Sequence, residues 1–193
     1  MSIRRSPLAG FPPLALSACV PSLHRFYATR DIAFEPMLIG AWLDRKRHHV
    51  WEFSRTNGQR YRLVHGDEEN RKSEFVVHLF RIDGMLCLDL WPWAFDSSLN
   101  PLHALHVVPA HNAMLVRQIV PALQIAFLSY TSIRRQLEKN PTAIAHARPE
   151  DDEYVLTALP HELQRFIVHH DKTTRAGIFE NVFELERGEP HPT

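Results

Sequence analysis

Thirteen histidines in a chain of 193 residues raise metal chemistry first. His103, His106 and His111 fall close together, and His48-His49 and His169-His170 are doublets. A zinc centre needs three or four ligands converging on one point. On an extended strand His103 and His106 would face opposite sides, and no HExxH or comparable spacing occurs. Turn and surface histidines are the more economical meaning, with His111 in Pro109-Ala110-His111-Asn112 using its ring on nearby backbone groups.

Nucleophilic and acid–base chemistry find little more support. A hydrolase would show a G-x-S-x-G elbow or a nucleophile with its base, whereas Asp96-Ser97-Ser98 has the composition of a turn. Asp89 and Asp96 could pair as acid and base, but solvated charge is the default. No phosphate-binding glycine loop is built from the seven glycines. The sequence therefore shows no catalytic constellation, metal site or cofactor signature. Arg45-Lys46-Arg47-His48-His49 could meet an anionic surface and Trp91-Pro92-Trp93 could cover a barrel mouth. A charged hairpin tip is the commoner meaning of the basic run, and core closure accounts for the tryptophans at least as well.

Cys19 and Cys87 are too far apart in sequence for a redox pair or a disulfide framework. Cys87, inside Met85-Leu86-Cys87-Leu88, reads as a small buried hydrophobe. Cys19 ends Leu16-Ser17-Ala18-Cys19, which resembles the lipobox of bacterial lipoprotein precursors. Arg4 and Arg5 precede it, followed by an apolar stretch. Pro7, Pro12 and Pro13 oppose a helical signal, so a tail or a misassigned start is the other reading. Residues 1–35 are accordingly set apart as an export signal or disordered tail, with Cys19 as the candidate lipidation site. This places the chain in the cell envelope, anchored to the membrane through Cys19, or else in the cytoplasm.

The remaining candidates are aromatic. Trp51 and Phe53 share a strand face, as do Tyr61 and Leu63, and the Asn57-Gly58 turn makes the two strands neighbours. If that face is interior, Trp51, Phe53 and Tyr61 line a site for an apolar molecule.

The elements that must position these residues follow from periodicity. Alternating apolar runs separated by turn signals predict strands over 38–42, 50–54, 61–65, 73–82 and 85–91, with Asp83-Gly84 as a second hairpin. Further strands are expected over 103–108, 113–118, 123–129, 143–147, 154–156 and 179–185. Both parities are apolar in 75–80, so that strand should be covered on both faces. A helix over 130–140 is expected with Thr131 or Ser132 as its cap. A second is expected with Thr157 as cap, Pro160 in its first turn and Leu163, Phe166, Ile167 and His170 on one face. Eight or nine of these strands in antiparallel order, with two C-terminal helices, give a mainly β fold, a closed barrel or half-barrel, over 36–187. Residues 188–193 are read as a disordered C-terminus. Lys plus Arg equals Asp plus Glu, at 22 each, which excludes a global field for nucleic acid. No run is apolar and long enough for a transmembrane helix.

Gly40-Ala41-Trp42 resembles the G-x-W signature of lipocalins and related up-and-down barrels, where the Trp closes one barrel end. More widely, the chain is similar to uncharacterised bacterial lipocalin-like proteins, many of them predicted lipoproteins. The segments that carry the likeness are Leu38 to Trp42, His78 to Leu90, Val108 to His111, Ile125 to Leu128, Leu137 to Pro141 and Leu156 to Phe166. That resemblance implies a lipocalin-like barrel or half-barrel over 36–187 and assigns no activity. The expected function is a non-enzymatic binding module for a small apolar or amphipathic molecule. The alternative is a structural or interaction protein whose barrel is filled by its own side chains.

Overall fold

A computed structural model describes residues 19–94, 100, 102, 107–148, 153–173 and 177–188. After a two-residue strand β1 (Ile32–Ala33), seven strands succeed one another: β2 (Gly40–Asp44), β3 (His49–Arg55), β4 (Tyr61–Gly66), β5 (Lys72–Ile82), β6 (Met85–Pro92), β7 (Asn112–Gln118) and β8 (Leu123–Leu128). Helix α1 (Tyr130–Lys139), the short pair β9 (His146–Ala147) and β10 (Val155–Leu156), and helix α2 (Pro160–Thr173) then precede β11 (Phe179–Arg187). β11 inserts between β8 and β2, and β5 pairs with β6, so β2 to β8 and β11 close an eight-stranded antiparallel barrel.

Turn chemistry sets the register. Gly58 and the Asp83-Gly84 pair have positive φ, the conformation that tight hairpins need. As expected from sequence, Trp51 and Phe53 sit opposite His65 and Leu63 across the β3–β4 ladder. The wall has two covered faces. Trp42, Phe53, Leu63, Val77, Leu79, Leu88 and Ile125 point inward, each at most 1% exposed. Phe80, Cys87, Ala126 and Leu128 point outward and meet Leu163, Phe166 and Ile167 of α2 and Ile133 and Leu137 of α1. Each fully buried Leu, Ile or Phe stabilises the fold by about 1.5–3 kcal/mol.

Three details differ from the sequence reading. The cap of α1 is Ser129, whose Oγ accepts from Ser132 N–H at 3.1 Å; Thr131 and Ser132 lie within the helix. α2 begins at Pro160, so Thr157 lies too far ahead to cap it, and Glu162 instead reaches back to accept from Leu159 N–H at 2.9 Å. Ordered packing also starts well before residue 36. Cys19 bridges to Ser129, Ser22 to His111 and Leu156, and Val20 and Phe26 are fully buried. A strap from Cys19 to Phe34, read from sequence with the leader, thus ties barrel to helices. Residues 107 and 108, at the end of the strand expected over 103–108, are not in a strand. His103, His106, Asp96, Ser97 and Ser98 lie outside the described residues, as do 1–18 with Arg4, Arg5 and Leu16 to Ala18, and 189–193.

The two ends of the barrel are unlike. At the β3–β4 and β5–β6 hairpin end, Leu38 and Trp42 close the interior, and Trp42 Nε1–H donates to Leu38 O at 2.8 Å. The other end carries the β2–β3 turn (residues 45–48), the β4–β5 turn (67–71) and the long β6–β7 and β8–β11 connections.

Candidate functional site

All three aromatic candidates face inward, at two depths. Tyr61 and Phe53 lie deep, meeting edge to face at 6.4 Å, and Phe34 stacks on Tyr61 at 5.1 Å. The Tyr61 hydroxyl accepts from Glu35 N–H at 2.7 Å and donates to Glu35 O at 3.1 Å. Its hydrogen-bonding capacity is spent on the fold, so Phe53 and Tyr61 form a floor. Trp51 stands nearer the mouth, 4% exposed.

Around Trp51 the structure gathers residues that sequence reading did not select. His65 packs edge-on against it at 4.8 Å, and His49 against His65 at 5.1 Å. Phe183 lies 6.3 Å from Trp51, and Phe127 5.1 Å from Phe183. Phe75 and Phe127 share the inward faces of their strands but are only partly buried. Overhead, the Arg47 guanidinium sits 4.1 Å above the Phe183 ring and pairs with Asp44 at 2.8 Å. The Asp44 carboxylate also accepts from Lys46 N–H and Arg47 N–H. Burial alone would raise its pKa, but these donors outweigh burial and hold it below the usual range.

The electrostatics of this layer favour neutrality. Burial, and then the neighbouring His49, push His65 down to about 4 against a small opposing pull from Asp67. An uncharged His65 keeps both an N–H donor and a ring-nitrogen acceptor. Trp51 Nε1 is buried with no hydrogen-bond partner, alone in this among the buried side-chain polar atoms of the described residues. An unmade bond of this kind costs about 1–3 kcal/mol.

Elsewhere, His111 is not engaged with local backbone through its ring. Its Nδ1 meets Asp89 Oδ2 at 2.8 Å, and Asp89 Oδ1 accepts from Phe26 N–H at 3.1 Å. This buried pair clamps the N-terminal strap to the outer wall. No group of three or more His, Cys, Asp or Glu suited to a metal ion occurs among the described residues. Cys19 and Cys87 are free thiols, each raised by burial to about 12.

No protein-family model, curated protein or solved structure matches the chain.

Proposed function

We propose that the protein is a non-enzymatic binding module that takes one small amphipathic molecule into the mouth-side half of its barrel. The unpartnered indole N–H of Trp51 carries this reading. A ligand presenting a carbonyl, hydroxyl or carboxylate oxygen there would supply the missing acceptor. Its apolar part would cover Phe75 and Phe127, whose inward rings remain partly exposed, at roughly 25 cal/mol per Å² removed from water. The floor of Phe53 and Tyr61 limits the guest to the upper half. Small barrels hold single ligands in this way, and the Gly40-x-Trp42 start of an up-and-down barrel supports grouping the chain with lipocalin-like proteins.

Attachment to the cell envelope belongs to the same proposal, with Cys19 as the lipid-bearing residue. Cys19 adjoins Ser129 at the end of β8, on the mouth side. The second reading, a side-chain-filled barrel without a ligand, is favoured by the complete burial of Trp42, Tyr61 and Leu63. Titration with a fluorescent fatty acid separates the two. Saturable binding that weakens at least tenfold in Phe127→Asp supports the module, and no saturable binding supports the filled barrel.

A further inference from the structure

The barrel mouth leaves unused a groove of about 800 Å³ on the opposite end, between α2 and the β5–β6 turn. On α2, His161, Arg165, His169 and Lys172 follow one another at helical spacing and all line it. Arg81, from the end of β5, and Arg30, from the strap, come from the facing wall. Ile82 and Val168 supply apolar surface between them.

Four cationic side chains here face two carboxylates. Asp83 is ion-paired with Lys172. Asp31 accepts from Ala28 N–H at 2.9 Å and from Gln164 Nε2 at 2.8 Å, with Arg30 Nε 3.6 Å away. Arg81 and Arg165 are left with no acidic partner among the described residues, and both are exposed. The chain as a whole is balanced at 22 cations and 22 anions, so this local excess is a matter of placement. Guanidinium groups on two walls of one groove repel each other, and an anion between them turns that repulsion into attraction. The planar fork of Arg matches the oxygens of a phosphate group in particular.

We infer that this groove binds a phosphate-bearing anion, gripped by Arg81 from the barrel and Arg165 from α2, with Lys172 and Arg30 at its margins. The site is separate from the barrel mouth and stands or falls independently of the reading given for it. Its phosphate could belong to a soluble molecule or to a lipid headgroup.

The test titrates inorganic pyrophosphate into the full chain by calorimetry at low ionic strength. In parallel, the chain is sedimented with phosphatidylglycerol–phosphatidylcholine vesicles. The wild type should bind at least one probe saturably. Arg81→Gln with Arg165→Gln should weaken that binding at least tenfold, whereas Lys72→Gln with Lys139→Gln, an equal charge change outside the groove, should alter it by no more than about twofold. Binding to pyrophosphate identifies a soluble phosphate as sufficient, and binding to vesicles alone identifies a headgroup. The inference is overturned if neither probe binds, or if both double variants lose binding equally.

Discussion

The guanidinium of Arg187 lies 4.6 Å over the ring of Trp42, joining the last strand of the barrel to the first. Arg187 Nη1 and Nη2 also donate to Met37 O at 3.0 Å and Ile39 O at 2.6 Å. It thereby pins the turn that leads into β2. Gly40, at φ +125°, holds a backbone conformation that a side chain would strain, and a Cβ there would lie 2.7 Å from Arg187 Nη2 and push it off its carbonyl partner. Trp42→Ala should cost about 3–5 kcal/mol, and Arg187→Met about 1–2 kcal/mol through the lost cation–π contact and hydrogen bonds. Urea unfolding measures both. A Trp42→Ala midpoint close to wild type would remove Trp42 as the closure of that end.

The clamp at Asp89 should be costly to break. Asp89→Ala leaves Phe26 N–H without its acceptor and His111 Nδ1 without its partner, a loss of about 3 kcal/mol. Amide exchange at Phe26 should accelerate more than exchange in the barrel hairpins. Uniform acceleration throughout would show that Asp89 supports the whole fold and not the strap in particular.

His65 predicts a pH dependence. Its folded pKa, near 4, lies below the ordinary imidazole value of about 6.5, so the unfolded chain binds the proton more readily. The stability it contributes is complete above about pH 6.5 and falls away as the pH drops toward 4. With solvent screening of a partly exposed ring, the loss is about 1–2 kcal/mol. His78 and His170, also lowered chiefly by burial, act in the same direction. Comparing unfolding of wild type and His65→Phe between pH 7 and pH 4.5 isolates the one group. The variant should lose less stability over that range, and parallel curves would contradict the assignment.

Lipidation of Cys19 predicts a mature chain that begins at an acylated cysteine. In a bacterial host the wild type should sediment with membranes, and Cys19→Ala should not. Several acyl chains are needed for firm anchoring, which mass spectrometry of the N-terminal peptide would reveal. Soluble wild-type protein that retains Met1 would contradict it.

The barrel was legible in the sequence because period-two alternation and the Asn57-Gly58 and Asp83-Gly84 turns agreed on one register. Trp51 and Phe53 could be placed on a common face for the same reason. Phe183 could not. β11 carries an extra residue between Glu180 and Phe183, where Asn181 has a positive φ. That bulge reverses the parity, so Phe179 packs outward beside the helices while Phe183 points into the barrel. The Asp89–His111 pair was equally hidden, since Asp89 lies in an apolar run and its partner is 22 residues away on the neighbouring side of the wall. Nor does local sequence reveal that the strap from Cys19 pairs with Ser129, His111 and Leu156, because those contacts depend on the closed fold.

Indole resonances report directly on the single unpartnered N–H group of Trp51. The ¹⁵N-tryptophan-labelled protein, titrated with octanoate and with octanol, carries its own control. Trp42 Nε1 is already bonded to Leu38 O, while Trp51 Nε1 has no partner. A ligand in the mouth should shift the Trp51 indole proton saturably downfield and leave that of Trp42 in place. A Trp51 resonance that stays fixed throughout, or moves only together with Trp42, would contradict a binding site at the barrel mouth.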